Sequence, residues 1–191
     1  MKKLLSFLII LFSSVLIQGC LETTIISSAA ILTKSATDPR SIGRQVDDGT
    51  LAVRVISALN KNKEIKKNAR IVSTAYKGSI LLTGQAPKLF LSELAKKIVI
   101  NVKGVESVYN EIRVEQPINF IKIIKDTWIT IQIKLKILSN NLIKLSTVKV
   151  ITENGEVFLL GILSQEEGDI VAKIASNIKD VKHVFTGFSY N

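Results

Sequence analysis

Two distant stretches of the chain read as variants of one hairpin: YKGSILLTG, Tyr76 to Gly84, and ENGEVFLLG, Glu153 to Gly161. Each sets a two-residue turn, Lys77-Gly78 or Asn154-Gly155, between extended segments, the second of which ends in glycine. Asn-Gly is the strongest short-range hairpin signal because both turn positions need positive φ. Upstream of the hairpins, Leu51, Val55 and Leu59 match Ile129, Ile133 and Ile137 as single stripes at helical spacing. Downstream, a second helical pattern covers Leu89 to Ile100 and Glu166 to Ile178, and short strands close the units at Glu106 to Val114 and Lys182 to Tyr190. The chain is therefore a tandem repeat of helix, strand, strand, helix, strand, each unit of roughly 70 residues being large enough for one small core. The fold class expected is α+β, each unit a mixed three-stranded sheet with two helices on one face. The units are placed at residues 47–116 and 117–191.

The N-terminus has a different character. Lys2 and Lys3 precede an apolar run, Leu4 to Ile17, broken only by serines. That run is short for a membrane span and typical of a secretory signal, here residues 1–19. It ends in Ile17-Gln18-Gly19-Cys20, which resembles a bacterial lipobox, whose cysteine is diacylated, the signal being cleaved before it and the new N-terminus acylated. Cys20 is the only cysteine of the chain, so it has no disulfide partner. Leu21 follows it, not the aspartate that usually retains such proteins at the inner membrane. The expected location is the outer membrane, lipid-anchored and facing the periplasm. Residues 20–46, rich in Ser, Thr and Ala and then carrying Pro39 and Gly43, read as a tether.

The order of elements, the LLTG and FLLG strand ends and VKGVESV, Val102 to Val108, resemble the BON domain. Two such units behind a lipobox, with the tether ATDPRS…QVDDGT and the helix start Lys125-Asp126-Thr127-Trp128-Ile129-Thr130, resemble the dual-BON outer-membrane lipoproteins of enteric bacteria. One departure is that Gly104 of the first unit is matched by Asp180, which tolerates a left-handed turn. The resemblance implies binding of anionic phospholipid through the second unit, in support of envelope integrity and cell division.

The residues of Lys125 to Leu138 point the same way. On a helix, Ile129, Ile133 and Ile137 form one stripe, while Trp128, Ile131, Leu135 and Leu138 form another, roughly opposite. The first unit has Thr50, Val53 and Ser57 where the second has Trp128, Ile131 and Leu135, so only the first stripe is common to both. A core shared by two repeats does not require the second. Lys122, Lys125, Lys134, Lys136, Lys144 and Lys149 gather around it against Asp126 alone. A lysine near an anionic membrane surface contributes about 1 kcal/mol, and tryptophan suits the headgroup level. Trp128, Ile131, Leu135, Leu138, Lys125, Lys134 and Lys136 are therefore the candidate phospholipid-binding residues, on a segment too short to span. The residues leave open packing against the first unit, a contact between copies, and a docking site for an envelope-assembly or peptidoglycan-remodelling protein. A monomer is expected.

An enzyme finds little support. One histidine, His183, and one cysteine assemble neither a zinc site nor a Cys-His nucleophile. Asp47 with Asp48, and Glu166 with Glu167, read as carboxylates at helix starts. The glycines of the hairpins form no phosphate loop. No catalytic residue, metal or cofactor is expected. The net charge of +10 suits an anionic partner, although abundant Lys, Ile and Asn also fit an AT-rich coding composition. Nucleic acid is a poor partner for an exported, lipidated chain.

Overall fold

Turn chemistry fixes where each hairpin reverses. A computed structural model describes residues 42–190, with side chains from residue 47 onward. The signal sequence, Cys20 and the tether up to residue 41 lie outside the described residues. The first domain contains α1 (Ile42–Lys61), α2 (Lys63–Asn68), β1 (Arg70–Tyr76), β2 (Ser79–Ala86), α3 (Leu89–Ile100) and β3 (Ser107–Val114). The second contains α4 (Phe120–Leu138), a 3₁₀ turn (Leu145–Thr147), β4 (Val148–Glu153), β5 (Glu156–Leu163), α5 (Gln165–Ser176) and β6 (His183–Tyr190). In each, the hairpin pair is antiparallel and the closing strand adds in parallel, giving sheets β1-β2-β3 and β4-β5-β6. The turns have φ of 53° and 78° at Lys77-Gly78, and 51° and 77° at Asn154-Gly155. These are the paired positive values that a tight hairpin turn demands. Asp180 takes φ of 70° where Gly104 takes 99°, so the one departure from the repeat preserves the turn.

Alternating residues of the central strands point at the helices. Ile80 and Leu82 pack with Leu51, Val55 and Leu59 of α1 and with Leu91, Ala95 and Val99 of α3. Val157 and Leu159 pack with Ile129, Ile133 and Ile137 of α4 and with Val171 and Ala175 of α5. The other sheet faces, carrying Leu81, Phe158 and Leu160, line a cleft of about 430 Å³ between the domains. Polar contacts hold this arrangement. Buried Glu153 takes the guanidinium of Arg70 and a hydrogen bond from Gln85 Nε2 at 2.7 Å. Gln85 Oε1 accepts from the Ile118 amide at 3.2 Å, and Lys149 Nζ donates to the Ala75 carbonyl at 3.0 Å. Arg113 Nε donates to Glu156 at 2.8 Å, and that bond raises the guanidinium pKa beyond its usual range.

Four local features differ from the sequence expectation. Helix α1 begins at Ile42, within the stretch read as tether, because one glycine near a helix end costs only about 1 kcal/mol. A short helix, α2, follows it, capped by Asn62 Oδ1 accepting from the Ile65 amide at 3.0 Å and pinned by buried Ile65. Helix α4 starts at Phe120, where Asn119 accepts from the Lys122 amide, rather than at Lys125. Asp47 and Asp48 are consequently not in a first turn. Glu167 does cap its helix: it and Ser164 bond each other's backbone amides.

Candidate functional site

Helix α4 is two-faced. Asp126, Ile129, Ile133 and Ile137 are buried against the sheet. Trp128, Ile131, Leu135 and Leu138 are exposed together on the opposite side, Trp128 at 60 % and Leu138 at 64 %. The extra turns at the start of the helix lengthen this side, adding exposed Phe120, Ile121 at 65 % and Ile124. Leu142, beyond the helix end, is also exposed. From Ile121 to Leu138 the residues recur at alternating steps of three and four, so they stay on one ribbon along the helix. A helix of 19 residues makes that ribbon about 28 Å long. Monomeric proteins rarely leave so continuous an apolar surface in water without a function for it.

The first domain does not cover the ribbon, since the polar contacts between domains run through strands β1 to β5. The equivalent face of α1 shows exposed Val53 and Ile56 but no comparable series. Lys125, Lys134 and Lys136 are exposed. At helical spacing Lys125 and Lys136 lie on one flank of the ribbon and Lys134 on the other. Phe120, Ile121 and Ile124 were missed by the sequence reading, which began the helix too late. The Asn119 cap, following Pro117-Ile118, was the available signal.

A second element of the site also escaped the sequence. Asp126, only 6 % exposed, sits on the core side of α4 and accepts from the Asn154 amide at 2.7 Å and the Gly155 amide at 2.8 Å. Asp48 does the same in the first domain, accepting from Lys77 and Gly78 at 2.9 and 3.0 Å. Each aspartate ties the first helix of its domain to the hairpin turn. His183 opens the edge strand β6 and is exposed. Among the described residues no group of three His, Cys, Asp or Glu is placed to hold a metal ion. Among the same residues, no helix is long and apolar enough to cross a membrane.

With this geometry in place, comparison with known proteins is specific. The BON domain matches residues 47–116 and 125–190. The chain is 42 % identical to the outer membrane lipoprotein DolP of Haemophilus influenzae over 182 residues, covering 95 % of this chain and 94 % of that one. It is 47 % identical to the 21 kDa hemolysin of Actinobacillus pleuropneumoniae, covering 80 % and 79 %. Osmotically-inducible protein Y of Escherichia coli is 32 % identical, covering 75 % and 72 %.

Proposed function

Since the chain belongs to the BON-domain family and is an outer-membrane lipoprotein with two such domains, we propose that it binds anionic phospholipid through the exposed ribbon of α4. The observation that carries this reading is the ribbon itself: a long apolar face turned to solvent on a helix whose opposite face is fully used by the core. With one side packed on its domain, α4 suits the plane of the interface, the ribbon reaching the acyl boundary and its lysines meeting the headgroups. Trp128 has the apolar body and polar N–H favoured at that level. Acylated Cys20 is the anchor, and α4 is a second, selective contact that supports envelope integrity and division. The role is non-catalytic, in keeping with a single histidine and a single cysteine. The three-and-four spacing would also seat a partner helix, so docking of an envelope-assembly protein is the alternative.

The test uses residues 20–191 with Cys20→Ser, which removes acylation and keeps both domains. This protein should float with phosphatidylglycerol vesicles and not with phosphatidylcholine vesicles. Trp128→Glu should reduce flotation at least tenfold with circular dichroism and melting unchanged. Undiminished flotation of that variant sinks the lipid reading and leaves a protein partner for the ribbon.

A further inference from the structure

The two domains carry the same cleft with opposite charge. In the second domain it measures about 340 Å³, and Lys122, Lys125 and Lys182 stand around Asn154 and Gly155 of the hairpin turn. Its counterpart in the first domain, about 270 Å³, is bounded by Asp47, Asp48, Arg54 and Glu106 around Gly78. The backbone establishes the equivalence. The Glu106 amide donates to the Gly78 carbonyl at 3.0 Å, and the Lys182 amide donates to that of Gly155 at 2.8 Å. Both side chains then cross the turn glycine. A Cβ on Gly78 would meet Glu106 Cδ at 2.7 Å, and one on Gly155 would meet Lys182 Cε and Cγ at 3.3 Å. Lys182 therefore stands where Glu106 stands. Lys125 likewise takes the place of Asp47, each being the residue before the aspartate that clamps the turn.

The clamp and turn are built with either sign of charge, so folding does not explain the reversal. Two carboxylates do line the basic cleft. Asp126 is occupied by the turn amides, and Asp180 is exposed, where the backbone turns left-handed. Three lysines against these two leave the cleft basic, whereas among the described residues its counterpart sets one arginine against three carboxylates. Lys125 also borders the apolar ribbon on the helical wheel, so the cleft and the ribbon share an edge.

We propose that this cleft receives the phosphodiester of an anionic phospholipid whose acyl chains lie along the ribbon, with Lys122, Lys125 and Lys182 as ammonium donors. The inference rests on the membrane-facing reading of α4 and adds to it a headgroup site. The shared chemistry is a phosphate anion, so the test separates lipid from free phosphate.

Flotation of the Cys20→Ser protein is compared between phosphatidylcholine vesicles doped with phosphatidylglycerol and others doped with oleate to equal surface charge. The unsubstituted protein should prefer the phosphatidylglycerol vesicles. Lys125→Gln with Lys182→Gln should erase that preference and weaken binding by roughly 5-fold per lysine. Lys96→Gln with Lys97→Gln, on exposed α3 of the first domain, should keep the preference. Equal losses in the two double variants, or a preference that survives without the cleft lysines, overturn the headgroup site while leaving the ribbon intact. If the unsubstituted protein binds neither vesicle, both readings fall. Amide resonances of Gly155 and Lys182 followed during titration with inorganic phosphate give the second arm. Displacement by phosphate with no vesicle preference makes the cleft a phosphate site and overturns the lipid assignment.

Discussion

At Asp126 the second domain ties helix to hairpin with one side chain. Its two carboxylate oxygens each take a turn amide, and charge-assisted bonds of this kind contribute about 1.5–3 kcal/mol apiece. Asp126→Ala also leaves two amides without partners near the core. We expect a loss of about 3 kcal/mol from the second domain in urea unfolding, with Asp48→Ala acting alike on the first. A change below about 1 kcal/mol would show that solvent replaces the clamp. The glycines near the ends of the central strands offer a matched contrast. A Cβ on Gly84 would lie 2.0 Å from the Arg70 carbonyl oxygen, at a φ of 115° that other residues rarely adopt. A Cβ on Gly161 would meet the Thr147 carbonyl oxygen at 2.7 Å, without positive φ. Gly84→Ala should therefore cost roughly twice what Gly161→Ala costs, about 3 kcal/mol or more, by the same measurement. The sequence marked both glycines as strand ends, although β2 and β5 continue two residues further, to Ala86 and Leu163. It did not reveal the aspartate clamps, whose partners lie far away in sequence. An adjacent pair of acids looks the same whether it caps a helix or reaches across to a turn.

Helix α4 shows what periodicity can and cannot tell. The stripe of Ile129, Ile133 and Ile137 was legible because the first domain repeats it, and all three are buried. The second stripe was legible by difference, because Thr50 and Ser57 break it in α1. Its direction was not legible, because an apolar face turned to water and one turned to a neighbouring domain have the same pattern. Its length was also understated, since a cap formed by Asn119 weighs little against the nearby proline when a boundary is chosen. These additional residues yield a prediction at the scale of the element. Ile124→Glu lies just ahead of the stretch Lys125 to Leu138, and Ile124 is exposed. It should weaken binding to phosphatidylglycerol vesicles about tenfold with an unchanged melting temperature. Ile133→Ala, on the fully buried face, should instead cost about 2–5 kcal/mol of stability. If Ile124→Glu binds normally, the proposed membrane contact ends near Trp128 and the first turns serve only to extend the helix.

The whole molecule is held by contacts that no repeat analysis could display, because they join non-equivalent positions of the two units. Glu153 ends β4 of the second domain, while Arg70 and Gln85 lie 83 and 68 residues earlier on paired strands of the first. Nothing in their local sequence distinguishes them from ordinary polar residues at strand ends. The carboxylate is 6 % exposed and the guanidinium 26 %, so the pair is partly screened yet costly to break from one side. Removing the carboxylate strands an arginine and an amide between two sheets that otherwise meet around a cleft. Gln85 then also loses the partner that fixes its orientation toward the Ile118 amide, just ahead of α4. Glu153→Ala should therefore act on the coupling between domains more than on either core. Trp128, the only tryptophan, reports unfolding of the second domain by fluorescence, whereas far-ultraviolet circular dichroism reports both. In the unsubstituted protein the two urea transitions should coincide. In Glu153→Ala they should separate, the fluorescence midpoint departing from that of the dichroism, with flotation on phosphatidylglycerol vesicles retained. Coincident transitions in the variant would mean that Arg113–Glu156, Lys149–Ala75 and the apolar cleft suffice to join the domains. The separation would instead identify Glu153 as the residue through which the second domain holds the first in place.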